Sequence, residues 1–347
     1  MSPETDSVAN RPHIIIRADA GPKIGSGHAI RSLALAATFP SARKILITVA
    51  PSSFLRDEAA SAGVRVLALK QPDPAPGDLL ALRSVIDSGK RPWVILDGYH
   101  FDLNYQTALR RTGARILVLD DGPRLTSYDA DLIVDQNIGA ETRRYPGVPL
   151  ERQLLGTNFA LLRKSFREHA PPARRFEYPA ANWLVSFGGA DPAGATMVIL
   201  RALSSSPSVK RVAAVVGPDN PSLHDIRMIA ARDARIRVEV AADMPALMSW
   251  ADAAVLGAGS SCWEAAYLGL PFVAVPIAPN QDLNAAILLS AGVAWRITLT
   301  HDEAELTARL EAFANDAIAR KQLSKTGRSL VDGLGANRVV AAMDTIA

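Results

Sequence analysis

The sequence has little of several things that would settle its class at once. It carries one cysteine, Cys262, in 347 residues, which excludes an internal disulfide framework and a cysteine-based metal cage. It has no unbroken apolar run of about 18 residues. Its most apolar stretch, 265–279, is interrupted by Gly269, Pro271 and Pro276, so nothing in it reads as a membrane span. Neither sign of charge dominates: Lys and Arg number 38 against 35 Asp and Glu, a net charge of +3. With no basic block, this balance excludes a nucleic-acid surface. Lysine is scarce, 8 residues beside 30 arginines, and we assign that bias no function. The six histidines show no H-E-x-x-H or comparable spacing, so no metal is expected. There is no short-period repeat and no low-complexity tract. The opening MSPETDSVANRP is polar, without an apolar signal core, so the expected location is cytoplasmic.

What is present is a globular composition, 48% hydrophobic and 21% charged, long enough for two domains. Short apolar runs alternate with Ala/Leu-rich helical patterns. Strands are expected at His13–Asp19, Lys44–Val49, Val64–Leu69, Trp93–Asp97, Arg115–Leu119 and Asp131–Asp135. Helices are expected between them at His28–Thr38, Phe54–Ala62, Leu79–Ser88 and Asn104–Arg111. The pattern pauses in the charged, proline-bearing segment around Arg163–Ala181, which reads as a linker. A second alternation follows. Its expected strands are Asn182–Phe187, Arg211–Val216, Ile236–Val240, Ala253–Leu256, Phe272–Val275 and Val293–Trp295. Its expected helices are Ala193–Leu203, Ser222–Arg232, Met244–Trp250, Cys262–Leu268, Asp282–Ala291 and Asp302–Phe313. The last periodic piece, Ala336–Ala347, is able to cross back to the first half. The expected fold is α/β, with two facing Rossmann-like domains at 1–165 and 182–347 and a linker at 166–181. Ligands of such sheets bind beyond the carboxyl ends of the strands, so a cleft between the domains is the expected site.

After the first strand comes Gly21-Pro22-Lys23-Ile24-Gly25-Ser26-Gly27-His28. It begins like a dinucleotide fingerprint, but Ile30 stands where the third glycine belongs and no acid closes the second strand, where Val49 leads into Ala50-Pro51. No Walker lysine follows either. Neither nucleotide-cofactor reading holds, and no cofactor is expected. What remains is a tight turn with His28 at a helix start, where the positive end of the helix dipole favours the neutral base. A capping or packed histidine is the plainer reading; its place at the functional edge of a sheet favours catalysis.

In the second half, Ser186-Phe187-Gly188-Gly189-Ala190-Asp191-Pro192 reads as a strand-to-helix turn. Asp191 is the expected N-cap and Pro192 the first helical residue, with Gly188 and Gly189 leaving amides open to an anion. Gly257-Ala258-Gly259-Ser260-Ser261-Cys262-Trp263-Glu264 places Gly259, Ser260 and Ser261 at another helix start. Glu264 either closes a capping box with Ser261 or accepts from two ribose hydroxyls. Asn280 is an N-cap, or else Asn280 and Gln281 read sugar hydroxyl or acetamido groups. Tyr99, in Asp97-Gly98-Tyr99-His100, ends a strand at the same edge as His28. Asp120-Asp121 reads as a turn former and Asp129-Ala130-Asp131 as structural.

Taken in order, Arg17–Ala20 with Gly25–His28, Asp120–Gly139, Leu155–Phe166, Ser186–Asp191 and Gly257–Gln281 resemble the PseG-type nucleotide-sugar hydrolases. Those enzymes act on UDP-2,4-diacetamido-2,4,6-trideoxy-β-L-altropyranose in pseudaminic acid biosynthesis. The resemblance runs from Ile14 to about Gly292. It implies the GT-B fold and metal-free cleavage of UDP from the sugar by water at the anomeric carbon. It also implies His28 as the base and Tyr99 as an active-site tyrosine, Glu264 on the ribose, and Gly188-Gly189 with Gly259–Ser261 on the diphosphate. Asn280 and Gln281 would lie on the sugar; Asp19, Gly27 and Arg163 match further family positions. The family commonly has Asp-His-Tyr-Gly where this chain has Asp97-Gly98-Tyr99-His100. The expected partner is a UDP-sugar, with no nucleic acid and no membrane, and a monomer is expected. The alternatives are an inverting GT-B glycosyltransferase and a UDP-sugar-binding protein without catalysis. A hydrolysing 2-epimerase ranks lower, because no acidic cluster suited to proton abstraction at C2 is visible.

Overall fold

The structure, a computed structural model, describes residues 13–21, 25–69, 76–86, 91–240 and 242–346. The polar amino-terminal segment, residues 22–24 of the glycine turn and the end of the expected helix at 87–88 lie outside them. The chain divides into two units. One runs to Lys164 and regains the chain at Leu334; the other is Ser165–Gly333.

The first unit is built on seven parallel strands: β1 (His13–Ala18), β2 (Arg43–Val49), β3 (Arg65–Leu69), β4 (Trp93–Asp97), β5 (Arg115–Leu119), β6 (Leu132–Asp135) and β7 (Gln153–Leu155). Helices α1 (Gly27–Ala36), α2 (Ser53–Ser61), α3 (Pro76–Val85) and α4 (Leu103–Arg110) connect the first five, and the single turn α5 (Lys164–Arg167) follows β7. The strand order is β3-β2-β1-β4-β5-β6-β7. Strand β1, HIIIRA, is buried at every position, as a central parallel strand must be when helices cover both faces. Its side chains alternate between two cores. Ile14, Ile16 and Ala18 pack with Leu33 and Leu35 of α1; Ile15 packs with Leu82 and Tyr105.

The second unit has six parallel strands: β8 (Asn182–Ser186), β9 (Arg211–Val215), β10 (Ile236–Glu239), β11 (Ala253–Gly257), β12 (Phe272–Val275) and β13 (Trp295–Arg296). Their order, β10-β9-β8-β11-β12-β13, repeats that of the first six strands of the other sheet. Its helices are α6 (Ala195–Ser204), α7 (Leu223–Arg232), α8 (Met244–Trp250), α9 (Ser261–Tyr267), α10 (Pro279–Ser290), α11 (Glu303–Asn315) and α12 (Ala317–Leu330). The segment before β8 belongs to this unit. Arg174 reaches back to donate to the carbonyls of Met248, Ala251 and Leu268, at the carboxyl ends of α8 and α9. The last helix, α13 (Gly335–Asp344), returns to the first unit, where Val339 and Met343 are buried in its core.

Three helix starts differ from expectation. Helix α6 begins at Ala195, not Pro192: Asp191 and Gly194 both take positive φ (40° and 63°), so the chain turns once more before the helix forms. Asp191 still caps it from a distance, its carboxylate accepting from the amides of Ala195 (2.9 Å) and Thr196 (2.8 Å). Helix α9 takes Ser260 as N-cap with no side-chain cap bond, so the Ser261–Glu264 capping box is not how it starts. Helix α10 starts at Pro279 behind Ala278, which places Asn280 inside the helix and not at its cap.

Candidate active site

In an open α/β sheet, ligands collect beyond the carboxyl ends of the strands, where the strand order reverses. In the first unit that point lies between β1 and β4. Here the sequence places an aspartate at or just past the end of four neighbouring strands: Asp19, Asp97, Asp120 and Asp135. All four are buried. A carboxylate out of water needs a partner, and each has an arginine: Arg17, Arg31, Arg124 and Arg143 respectively.

His28 is the second residue of α1, and its Nδ1 lies 2.6 Å from Oδ1 of Asp97. Arg31, one turn further along the same helix face, grips that carboxylate with Nε on Oδ2 and Nη2 on Oδ1, both at 2.7 Å. The Ser32 hydroxyl adds a bond of 3.0 Å. Burial works against the charge on Asp97, but Arg31 and His28 outweigh it and hold the carboxyl below its ordinary range. An ionised carboxylate only accepts, so Nδ1 of His28 carries the hydrogen, and in the neutral ring Nε2 is the acceptor. The helix-dipole argument supplied only part of this: the tautomer is set by a residue 69 positions away.

Tyr99 is 44% exposed, yet it is held on every side. Its ring meets His28 edge-on, centroids 5.0 Å apart at 89°. The Arg124 guanidinium lies 4.4 Å over its ring, and its hydroxyl donates to Asp121 at 2.9 Å. Asp121 also accepts from Arg31 (2.6 Å) and from Asn137 (3.2 Å). Burial works against its charge too, but Arg31 holds its carboxyl well below the usual range. The pair Asp120-Asp121 is therefore part of the site and more than a turn former. Aspartates do gather here, but paired to arginines Asp97 and Asp121 are weak bases, which suits them poorly to proton abstraction at C2.

The remaining residues of this unit take other places. The glycine turn closes by paired bonds between Gly21 and Gly25 (3.1 and 2.8 Å). Among the described residues, nothing lies within 4 Å of a Cβ built on Gly27. Asp19 is held by Arg17, which also bonds Asp78, and accepts from the amide of Val49 (3.2 Å). His100 Nε2 lies 3.3 Å from Asp19. Arg163 pairs with Glu58 of α2 at 3.9 Å.

In the second unit the strand order reverses between β8 and β11. Gly188 (φ 79°) and Gly189 follow β8, and the Gly189 carbonyl accepts from Gly217 N at 3.0 Å. A Cβ on Gly217 would stand 2.6 Å from that carbonyl, so only glycine lets the two loops meet. After β11, Gly257 lies against Phe187 (3.7 Å from a built Cβ) and Gly259 faces the Gln281 amide nitrogen (3.8 Å). Gln281 Oε1 accepts from Ile277 N at 3.1 Å, and Asn284 Nδ2 donates to the Ala258 carbonyl at 2.7 Å. Three loops thus gather around the starts of α9 and α10, with first-turn amides of Ser260 and Ser261 among them. Glu264 is buried one turn inside α9. The Asn280 side chain lies outside the described residues. Cys262 is buried behind the loop, its thiol turned to the Gly257 carbonyl (3.4 Å) and pushed up by burial.

Asp97, Arg31, Asn137 and Asn284 were given no site role from sequence, and Asp121 was read only as a turn former. An aspartate closing each of four strands was a readable signal; which cation each one meets was not. Among the described residues no group of three or more His, Cys, Asp or Glu is arranged to hold a metal ion, and no helix is long and apolar enough to cross a membrane.

Comparison with known proteins finds likenesses in sequence and in fold. Residues 203–330 are similar to the glycosyltransferase family 28 C-terminal domain. The spore coat polysaccharide biosynthesis protein SpsG of Bacillus subtilis (strain 168) is 26% identical over 245 residues, 68% of this chain and 70% of that protein. Among solved structures, MurG of Acinetobacter baumannii superposes with a TM-score of 0.66 at 17% identity, covering 97% of this chain and all of that one. A complex of S. aureus MnaA with UDP also gives 0.66, at 14% identity, covering 96% of both chains. The chain has the expected fold: two Rossmann-like parallel-sheet domains of GT-B type.

Proposed function

We propose that the chain is an enzyme that hydrolyses a UDP-sugar at its anomeric carbon, and that the sugar is a diacetamido-trideoxyhexose. The observation that carries the reading is His28. Its Nδ1 lies on the buried carboxylate of Asp97, so that in the neutral ring Nε2 is the acceptor, at the reversal point of the first sheet. Nε2 takes a proton as water attacks C1; the C1–O bond to the diphosphate breaks and UDP leaves with the electron pair. One displacement by water inverts C1. The likeness to SpsG and the binding of UDP by MnaA support a nucleotide-sugar substrate. The Gly188-Gly189 and Gly259–Ser261 amides take the diphosphate, where helix starts favour anions. Glu264 takes the ribose, and Asn280 and Gln281 the sugar. Tyr99 stands beside the base, and Asp19, Gly27 and Arg163 complete the substrate-binding set. The enzyme works as a cytoplasmic monomer.

A second reading is favoured by the match to the family 28 domain: the same base deprotonates an acceptor hydroxyl, and the chain is an inverting glycosyltransferase. One experiment separates the two. The purified chain is given a UDP-diacetamido sugar in ¹⁸O-labelled water without acceptor and followed by NMR. Stoichiometric UDP with labelled free sugar supports hydrolysis. Release of UDP only after an acceptor is added overturns it in favour of transfer.

A further inference from the structure

At the reversal point of the first sheet one arginine answers two carboxylates. Asp120 pairs with Arg124 and Asp135 with Arg143, one charge against one. Arg31 is shared: Nε and Nη2 hold Asp97 at 2.7 Å, and Nη1 holds Asp121 at 2.6 Å. With His28 neutral, the set of Arg31, Asp97 and Asp121 is one positive charge short. With His28 protonated it is balanced, two cations against two anions.

Asp97 has its part in the function proposed above, since it touches His28; Asp121 has none. It follows β5, and its carboxylate joins three elements. Oδ1 accepts from Arg31 of α1 and, at 3.2 Å, from Asn137 in the loop after β6; Oδ2 accepts from the Tyr99 hydroxyl, in the loop after β4, at 2.9 Å. Arg31 and Tyr99 both meet His28: Arg31 Nη2 lies 3.3 Å from its Nδ1, and the Tyr99 ring stands edge-on to the imidazole. A guanidinium that close works against a second positive charge on the ring. Asp121 engages the same guanidinium, and Arg31 keeps it ionised against the effect of burial. The charged and titratable groups set around His28 are Arg31 from its own helix, Asp97 and Tyr99 from β4 and its loop, and Asp121 from the loop after β5, with Arg124 over Tyr99.

Resting on His28 as the base of the proposed reaction, we propose that Asp121 is a positioning residue for it: through Arg31 and Tyr99 its carboxylate holds the imidazole in place and balances the charge that the ring gains when Nε2 takes the proton from water. Asp121 stays ionised throughout. The proton goes to His28, and the electron pair of the broken C1–O bond leaves with UDP.

The test is NMR titration of the His28 ring in the full chain, its signal assigned by its loss in His28→Asn. Asp121→Asn and Asp121→Ser both keep an acceptor oxygen and remove the charge. In each, the His28 midpoint should fall by about one pH unit, because the protonated ring has lost a counter-charge. Asp121→Glu keeps the charge and should hold the midpoint near that of wild type. Tyr99→Phe leaves Asp121 charged and should do the same. A role in folding alone would change the melting temperature and leave the midpoint where it is. A wild-type midpoint in Asp121→Asn or Asp121→Ser overturns the role of Asp121 and leaves His28 as the base. An equal fall in Asp121→Glu and Tyr99→Phe overturns it too, since charge would not then be what counts. Release of UDP from a UDP-diacetamido sugar, by wild type and by His28→Asn, tests the reading beneath. A His28→Asn chain with wild-type turnover, or a wild type with none, overturns that reading and the proposal with it.

Discussion

The two sheets run their strands in one order, yet their functional edges are chemical opposites. In the first unit four neighbouring strands lead into buried aspartates, each paired with an arginine. In the second, Ser186, Val215 and Gly257 end strands, and Gly188, Gly217 and Gly259 follow two residues on. The first edge holds side chains in fixed protonation and orientation. The second clears side chains away so that backbone amides can come close to a ligand. Proton transfer needs the former and an anionic diphosphate needs the latter, so topology sets where a site lies and strand ends decide its chemistry.

The sharpest way to break the comparison is at His28. Its replacement by alanine or asparagine should cut kcat by about 10²–10⁴-fold and leave UDP affinity unchanged by calorimetry. A variant with wild-type kcat removes His28 from the chemistry. Next comes Asp97. Asp97→Ala takes the carboxylate from His28 and leaves Arg31 paired with Asp121 alone, and should destabilise the chain by about 1–3 kcal/mol, measured by chemical denaturation. Its carboxyl is ionised more readily in the fold than in the open chain. Its stabilisation is therefore full above about pH 4 and is lost as pH falls through the lower folded value. Thermal melts should show that acid loss, and Asp97→Asn should flatten it.

The second edge should fail differently. Gly217→Val pushes a side chain into the Gly189 carbonyl, at about 1–3 kcal/mol of strain. UDP affinity should fall about tenfold, with kcat at saturation kept within a fewfold; equal losses in both would erase the contrast between the edges. The smallest effect is expected of Tyr99→Phe, which keeps the ring against His28 and loses the bond to Asp121. At about 0.5–1.5 kcal/mol for that bond, kcat should drop less than about tenfold in steady-state assays.

Much of this was legible in the chain. The strands of both sheets announce themselves as apolar runs; Trp93–Asp97 and Phe272–Val275 fall where they were expected. The glycine turn with His28 was equally plain. Strand β7, three residues long, gives no periodic signal. Helix α12 hides because its buried stripe is Arg320, Leu323, Ser324 and Gly327, not large apolar residues. Gly327 is there because a Cβ would come within 3.1 Å of Ala266. The partners of His28 were illegible for another reason. Asp97 lies 69 residues away, and nothing in local patterning says which carboxylate closes on which imidazole. Only the parallel register of β1 and β4 brings them together.

The return of α13 has a consequence for how the protein is made. The first unit cannot be finished when its strands leave the ribosome: Val339 and Met343, buried in its core, are translated only after the second unit, Ser165–Gly333. Gly335 seats that helix so closely that a Cβ would stand 2.3 Å from the Ala160 carbonyl. During synthesis the unit carrying His28 therefore waits, with its core open, until the whole second unit has emerged. A nonsense mutation at Leu334 would leave the second unit whole and damage the first.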